Sequence, residues 1–293
     1  LRTSRGLGDV YKRQAYYYFE LVKFFGDVPL FTEARLTAGQ AGTLTRTPKD
    51  EVYAQIELDL QNAIASLPNS QSQVGRVNKY TAYALLGKVL LYQDKFAEAA
   101  SALDNVIGVY SLVSDYGSQF LRFGENGPES VFEIQYSNQS NWYDWGCAHC
   151  SEGNYAIIMN GPRGWSGPEY AQGWSFNVPT EEFYNSFEEG DSRRDATVLD
   201  IEAFAAATGA SYTEGYDHTG YFNNKYIPRA GESGGQTELN YLTNFRIIRY
   251  SDVLLMAAEA YNRGGIDDGL AQEFLNQVRR RAFGGDDNDI SAS

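Results

Sequence analysis

The sequence predicts a mainly α-helical fold, in which helical hairpins support a loop-rich face with a few short strands. Apolar residues recur at helical spacing in two hairpin-like stretches, residues 79–109 and 247–283. Between them lie about forty residues, 137–178, that are rich in Gly, Asn, Ser and aromatic side chains and have no helical period. The strand candidates are short runs in the middle of the chain. Helices are therefore expected to form the scaffold.

The N-terminal helix is expected over residues 15–25, which are apolar nearly all round and are followed by Gly26. A helix of that kind is expected to be buried. Residues 1–14 are basic and resemble a translated sequencing-adapter tail, so they are interpreted as a non-native junction tail.

The next helices follow from capping and stop signals. One is expected to begin at Pro48, with Thr47 as its N-cap, and to end before Pro68. Residues 79–93 and 96–109 then form a hairpin in which Gly87 lets the neighbouring helix approach closely. The spacing resembles a tetratricopeptide unit, and an ordinary helical hairpin is the open alternative.

The second half of the chain mixes strands and helices. Short strands are expected over residues 130–136, 197–201 and 225–228. Thr180 is expected to cap a helix that runs to about residue 188. The strongest helical pattern, residues 247–263, pairs with a last helix over residues 270–283 in a second hairpin.

Composition excludes several classes of function. The 293 residues include 24 Lys and Arg against 38 Asp and Glu, which gives a formal net charge of −14. So acidic a chain repels phosphate backbones, and nucleic acid is not an expected partner. With only 2 His, a catalytic or multi-His metal site is disfavoured.

Both cysteines lie in the tetrapeptide 147–150, so a redox pair, half of a metal site and a local disulfide are the options. A structural zinc needs four ligands, and only His149 and His218 are available to complete them. A local disulfide or two unreactive thiols is therefore favoured. No metal and no cofactor is expected.

An aromatic run in the long loop is the candidate binding site. Trp142, Tyr143 and Trp145 can offer ring faces to the C–H faces of a sugar, while Asn141 and Asp144 can bind its hydroxyl groups. The alternative is that these rings only hold down a long loop. Trp165 is a second candidate for the same role.

No catalytic pair stands out. Carboxylates such as Asp144, Glu152 and Glu169 can in principle act as the acid and base of a glycosidase, but their spacing singles out no two of them. An enzyme is therefore not expected.

Four sequence blocks carry a resemblance to a known family. They are GRVNKY at 75–80 with LLGKVLLY at 85–92, PTEEF at 179–183 with FEEGDSRR at 187–194, RYSDVLLMAAEA at 249–260, and LNQVRRRA at 275–282. Together they resemble the SusD/RagB family of outer-membrane nutrient-binding lipoproteins. The resemblance implies a tetratricopeptide-like fold that binds oligosaccharides or polysaccharides on the extracellular face of the outer membrane. It also implies delivery of the glycan to a TonB-dependent, SusC-like transporter, with no catalysis.

The resemblance implies one SusD-like domain, truncated at both ends. Its parts are the tail 1–14, an N-terminal helical part 15–136, a loop-rich glycan-binding region 137–246 and a C-terminal hairpin 247–293. The secretion signal, the lipidated cysteine and the region after the last hairpin are expected to lie outside this sequence. The alternative function is a tetratricopeptide-type adaptor that binds a protein and has no glycan site.

Overall fold

The computed structural model of the chain divides into two compact units and is mainly α-helical, which confirms the predicted fold class. It describes residues 4–33, 35–137, 139, 145–233 and 239–291. Unit one comprises the described residues within 1–111, 248–275 and 291–293, and unit two comprises those within 112–247 and 276–290. Unit one is therefore discontinuous in sequence.

The described helices are longest near the two ends of the chain, and the strands are short. In chain order the α-helices are α1 (Ser4–Phe25), α2 (Ala38–Ala41), α3 (Lys49–Ser66), α4 (Lys79–Leu91), α5 (Phe96–Asp104), α6 (Ala156–Asn160), α7 (Glu181–Asn185), α8 (Arg193–Thr197), α9 (Ile201–Thr208), α10 (Tyr250–Arg263) and α11 (Asp268–Phe283). The strands are β1 (Ser130–Ile134), β2 (Arg163–Ser166), β3 (Val198–Asp200), β4 (Ser211–Thr213), β5 (Tyr221–Asn223) and β6 (Phe245–Arg249).

Helix α1 is longer than predicted, because residues 4–14, interpreted as a junction tail, are also helical. It ends where predicted. Gly26 takes a left-handed φ of 65°, which a residue without Cβ adopts easily, and donates its N–H to Val22 O at 3.0 Å.

The prediction that α1 is buried all round is wrong. Ala15, Phe19 and Val22 are buried on the side that packs against α3. On the other side Tyr17 and Phe24 are 60% and 77% exposed. An all-round apolar pattern does not specify which side meets a neighbour, so burial of each face depends on the elements that pack there.

Helix α3 begins one residue later than predicted and has a different cap. Thr47 forms an isolated β-bridge with Val28, and Pro48 occupies the N-cap position. The N–H of Lys49 instead donates to the Asp27 carboxylate at 2.9 Å. The cap comes from a residue distant in sequence, which a local capping pattern does not reveal.

The two helical hairpins, far apart in sequence, pack together in unit one. Helix α10 contacts both α4 and α5, and α3 covers the other side of α4. Tyr261 Oη donates to the Asp104 carboxylate at 2.8 Å, and Tyr250 Oη accepts from the Gly108 N–H at 2.9 Å. Burial and the bond to Asp104 raise the pKa of Tyr261 to about 12. The helices thus form one continuous array.

Gly87 lies at the closest approach of α4 and α5, as predicted. A Cβ at this position would lie 2.5 Å from Leu103 Cγ. We therefore expect Gly87→Ala to lower the free energy of unfolding by about 1–3 kcal/mol through overpacking. This outcome opposes helix propensity, which favours Ala over Gly by roughly 1 kcal/mol.

The measurement is urea unfolding followed by far-UV circular dichroism. Gly269→Ala in α11 is the matched control, because the nearest atom to its added Cβ is Asp267 Oδ1 at 3.4 Å. That variant should be as stable as the parent or slightly more so. Equal free energies of unfolding for Gly87→Ala and Gly269→Ala would contradict the expected overpacking at Gly87.

Unit two contains small two-stranded sheets instead of a sheet core. The pairs are β1 with β6, β2 with β4, and β3 with β5, the last two antiparallel. The strand predicted over residues 225–228 is wrong, since the strand is β5, which precedes it. Phe222 in β5 is fully buried and lies opposite Leu199 of β3, so packing selects this segment.

The helix predicted from residue 247 begins at Tyr250 instead, because residues 245–249 form β6. Along β6 the burial alternates, with Arg246 and Ile248 buried, as expected for a paired strand. Pairing with β1 decides the conformation here, and the helical spacing of the apolar residues does not reveal it.

The predicted cap of α7 is confirmed, because Thr180 Oγ1 accepts from the Phe183 N–H at 3.2 Å. The three consecutive arginines of α11 each meet a carboxylate of unit two: Arg279 pairs with Glu188 at 3.0 Å, Arg280 with Asp289 at 2.6 Å, and Arg281 with Glu129 at 2.9 Å. Both side chains of the Arg281 pair are buried, at 5% and 3% exposure.

Candidate functional site

The candidate loop, residues 138–151, is closed at its base by a pair of hydrogen bonds in unit two. Ser137 N–H donates to Glu152 O at 3.0 Å, and Ser137 Oγ donates to Glu152 Oε2 at 2.6 Å. Ser137 Oγ also accepts from the Gln139 N–H at 3.1 Å. Ser137 and Glu152, at the two ends of the loop, are therefore fixed beside each other.

A disulfide tightens the second half of the candidate loop. Residues Trp145–Cys150 form two short 3₁₀ turns separated by a kink at Cys147, and Cys147 and Cys150 are disulfide-bonded. Of the options left open by the sequence, the local disulfide is the one observed. With both sulfurs in that bond, neither thiol is available to a metal.

The far end of the loop rests on residues 239–243. Asn154 N–H donates to Tyr241 O at 2.7 Å, and its side-chain amide donates to Thr243 O at 2.9 Å. Ser151 Oγ donates to Asn240 Oδ1 at 3.1 Å. Gly153 lies so close to Asn240 that a Cβ there would overlap its backbone. The base of the loop is therefore built from two segments that are distant in sequence.

A buried polar network lies where the chain enters the loop. Asn244 Oδ1 accepts from the Tyr136 N–H at 3.0 Å, and its amide donates to Glu133 at 3.1 Å. Glu133 also lies 3.7 Å from Arg246, and both side chains are at most 2% exposed. Burial raises the pKa of the neighbouring Glu125, whose carboxylate accepts from the Asn244 N–H. This network fixes the strand that leads into the loop.

Most of the predicted ligand-binding residues lie outside the described part of the chain. Asn141, Trp142, Tyr143 and Asp144 lie outside the described residues. The backbone of Trp145 begins the first 3₁₀ turn, and its side chain is also outside the described part. Their role in binding stays a prediction.

Trp165 is described and is half-buried in a hydrophobic cluster of unit two. Its ring lies 5.9 Å from that of Tyr170, edge to face, and 5.9 Å from that of Phe204. Tyr170 and Phe222 belong to the buried part of the same cluster. Trp165 therefore packs against the core, and a contact with ligand stays a prediction.

Trp174 packs against a different cluster, made by Ile157, Ile158 and Tyr241. The backbone N–H of Trp174 donates to Ile158 O at 2.9 Å, and its ring meets the ring of Phe176 edge to face at 6.2 Å. Trp174 covers buried side chains, while the ring of Phe176 remains 51% exposed.

Unit one carries an open groove of about 550 Å³ on helices α3, α4 and α5. Its lining includes the apolar side chains of Leu86 and Leu90 and the polar side chains of Glu57, Gln61 and Glu98. Glu57 is held in place by Lys95, whose Nζ lies 2.6 Å from Oε1. The groove is the feature that a protein-binding adaptor of tetratricopeptide type would use.

Within the described ranges, no group of three or more His, Cys, Asp or Glu side chains is placed to hold a metal ion. No described helix combines the length and the apolar character needed to cross a membrane.

Unit one contains packed helical hairpins, and unit two carries the disulfide-containing candidate loop. These two features are typical of a class of helical proteins whose candidate ligand site lies on a loop. The SusD family model matches residues 128–291, more than half of the chain. A second model, described as starch-binding and associating with the outer membrane, matches residues 4–91. The chain belongs to the SusD family.

Solved structures and a curated relative agree with this assignment. A laminarin-binding SusD-like protein is 38% identical, with a TM-score of 0.88 over 98% of this chain and 65% of that one. Surface glycan-binding protein A from Bacteroides thetaiotaomicron, solved with laminarihexaose, is 30% identical, with a TM-score of 0.87 over 98% of this chain and 63% of that one. A SusD-like protein of Formosa agariphila is 31% identical over 284 residues, which cover 92% of this chain and 54% of that protein. The chain thus spans about half the length of this relative.

Proposed function

We propose that this protein binds an oligosaccharide or polysaccharide through the candidate loop of unit two. The observation that carries the proposal is the similarity to the laminarin-binding SusD-like protein, which extends over 98% of this chain at 38% identity. The hydrogen bond between Ser137 and Glu152 and the disulfide between Cys147 and Cys150 support it, because they hold the ends of the loop and the turn after Trp145 in place.

In this proposal the aromatic rings and the polar side chains of the loop have separate roles. Trp142, Tyr143 and Trp145 stack on the C–H faces of sugar rings, with Trp165 as a further contact. The Asn141 amide donates hydrogen bonds to hydroxyl groups and accepts them, and the Asp144 carboxylate accepts them. Burial of ring faces supplies affinity, and the polar groups supply orientation.

An uncharged glycan such as laminarin is the proposed ligand class. Laminarin and laminarihexaose are the glycans named for two of the similar structures. The net charge of −14 favours the same class, because it opposes approach of an acidic polysaccharide.

The proposed setting is the extracellular face of the outer membrane, where the whole protein is held by a lipid anchor and passes glycan to a SusC-like TonB-dependent transporter. The family description of association with the outer membrane supports this location. The groove on helices α3 to α5 is the proposed place for contact with a protein, and it is also the observation that favours the adaptor as second candidate function. Binding without catalysis is proposed, so incubation with glycan should release no new reducing ends.

The test is binding of laminarin by affinity electrophoresis and of laminarihexaose by calorimetry. Trp142→Ala combined with Trp145→Ala is expected to abolish binding to both, because the stacking surface is lost. Phe123→Ala is the control, since this ring is 79% exposed in another part of unit two. Retention of binding by the double variant would exclude this loop as the site. A folded parent protein that binds neither glycan would favour the adaptor.

A further inference from the structure

A second aromatic surface lies in unit two outside the candidate loop. We call it the Phe176–Tyr216 patch. Tyr216 is 91% exposed and Phe176 is 51% exposed. The residues before them, Gly215 and Ser175, are in close contact, because a Cβ on Gly215 would lie 2.7 Å from Ser175 Cβ. Two large exposed rings are thus carried by adjacent segments.

The segment that carries Phe176 is held firmly. The backbone N–H groups of residues 174–176 donate to the carbonyl oxygens of Ile158, Gly161 and Met159 at 2.8–2.9 Å. Trp174, beside Phe176, packs on a buried cluster. The ring is therefore presented by a rigid support, and little conformational entropy is lost when it meets a ligand.

Residues beside both rings have left-handed backbone. Ser175 and Asn177, on either side of Phe176, have φ values of 57° and 52°, and Asp217 after Tyr216 has a φ of 52°. Left-handed backbone at residues other than glycine costs free energy and persists where the surroundings enforce it, often beside ligands. The strained backbone next to the two rings is a second observation, separate from the exposure of the rings.

Polar groups lie beside Phe176. The Arg163 guanidinium lies over the Phe176 ring, 5.7 Å from its centroid, and its Nε donates to Trp174 O at 2.7 Å. Asn177 Nδ2 donates to Asn160 Oδ1 at 3.4 Å. An aromatic ring with a guanidinium over one face and amides nearby matches the chemistry of a sugar, which offers C–H faces and hydroxyl groups together.

We infer that the Phe176–Tyr216 patch is a second carbohydrate contact, distinct from the candidate loop, which binds an uncharged polysaccharide. The inference rests on the proposed glycan-binding function. A second contact on one chain raises affinity for a long glycan through effective concentration, and it adds nothing for an oligosaccharide too short to reach both contacts.

The experiment compares the parent protein with a variant that combines Phe176→Ala and Tyr216→Ala. Laminarin is measured by affinity electrophoresis and laminarihexaose by calorimetry. Loss of two stacked rings should weaken laminarin binding about three- to tenfold, with laminarihexaose binding unchanged. Phe123→Ala is the matched control, and tryptophan fluorescence verifies that the variant is folded.

Three other outcomes would each contradict one part of the inference or of the proposed function. If neither affinity changes, the patch is not a contact. If both affinities fall equally, the patch belongs to the same site as the loop and is not a second one. If the folded parent protein binds neither glycan, the proposed function itself fails, which is distinct from failure of the patch.

Discussion

Replacing Arg281 with Met is expected to lower the free energy of unfolding of unit two by about 3–5 kcal/mol. The guanidinium meets Glu129 at 2.9 Å where both side chains are buried. It also lies 4.9 Å from the centre of the Tyr116 ring. Without Arg281, the Glu129 carboxylate keeps the Val113 N–H, at 3.1 Å, but loses this guanidinium in a buried environment. Breaking a buried ion pair by removing one partner is costly because solvent does not take the place of the lost partner.

Urea unfolding followed by tryptophan fluorescence measures this change, because all 4 tryptophans of the sequence fall within the residue range of unit two. Arg194→Met is the control in the same unit. Arg194 also pairs with a carboxylate, that of Asp195, but its side chain is 39% exposed, and solvent replaces such a pair at little cost. Combining Arg281→Met with Glu129→Met should recover part of the loss, since neither member of this pair is then left buried without the other. A single variant as stable as the control would show that the buried pair contributes little.

Replacing Lys12 with Met is expected to stabilise unit one and to remove a pH dependence. Lys12 is 3% exposed in α1. Burial, with a smaller contribution from Arg13, lowers its pKa from 10.5 to about 6. Between these two values the unfolded chain binds a proton that the folded chain does not, so stability rises with pH over this range. At pH 7 the gain from the substitution is roughly 4 kcal/mol at most.

The measurement is urea unfolding at pH 7 and pH 9.5, followed by far-UV circular dichroism. The difference in stability between parent and Lys12→Met should be smaller at the higher pH, because there the unfolded lysine approaches its own pKa. Lys49→Met, at an exposed position of α3, keeps Lys12 and should keep the slope. If the difference in stability between the parent protein and Lys12→Met is the same at both pH values, then Lys12 does not cause the pH dependence.

The helices could be predicted from sequence because their signals are local. Apolar periodicity located α4 and α11 to within a few residues, and the Thr180 cap of α7 is formed as predicted. Four sequence blocks were enough to indicate the family, which the family model then matched over residues 128–291.

The features missed by sequence reasoning depend on contacts between distant residues. Strand β6 exists because it pairs with β1, and the cap of α3 comes from Asp27. The exposed side of α1 has the same apolar composition as its buried side, so composition does not separate them.

In the candidate site, too, the features with a local sequence signal could be predicted and those that depend on distant residues could not. The loop was recognised from its aromatic residues, and the cysteine spacing included the disulfide among its options. Its support by Asn240 and by the network around Asn244 was not predicted, since these residues lie about a hundred positions away. Those amides carry no local signal, and only the fold brings them to the base of the loop.

The discontinuity of unit one has a consequence for the rate at which it folds. Asp104 and Tyr261, which are hydrogen-bonded in the folded protein, are separated by 157 residues. Helices α4 and α5 can pair through local contacts, whereas α10 reaches them only after this long segment has been closed into a loop. Closing it costs conformational entropy before any contact with α10 is gained. Unit one is therefore expected to fold more slowly than a helical array of the same size built from consecutive helices.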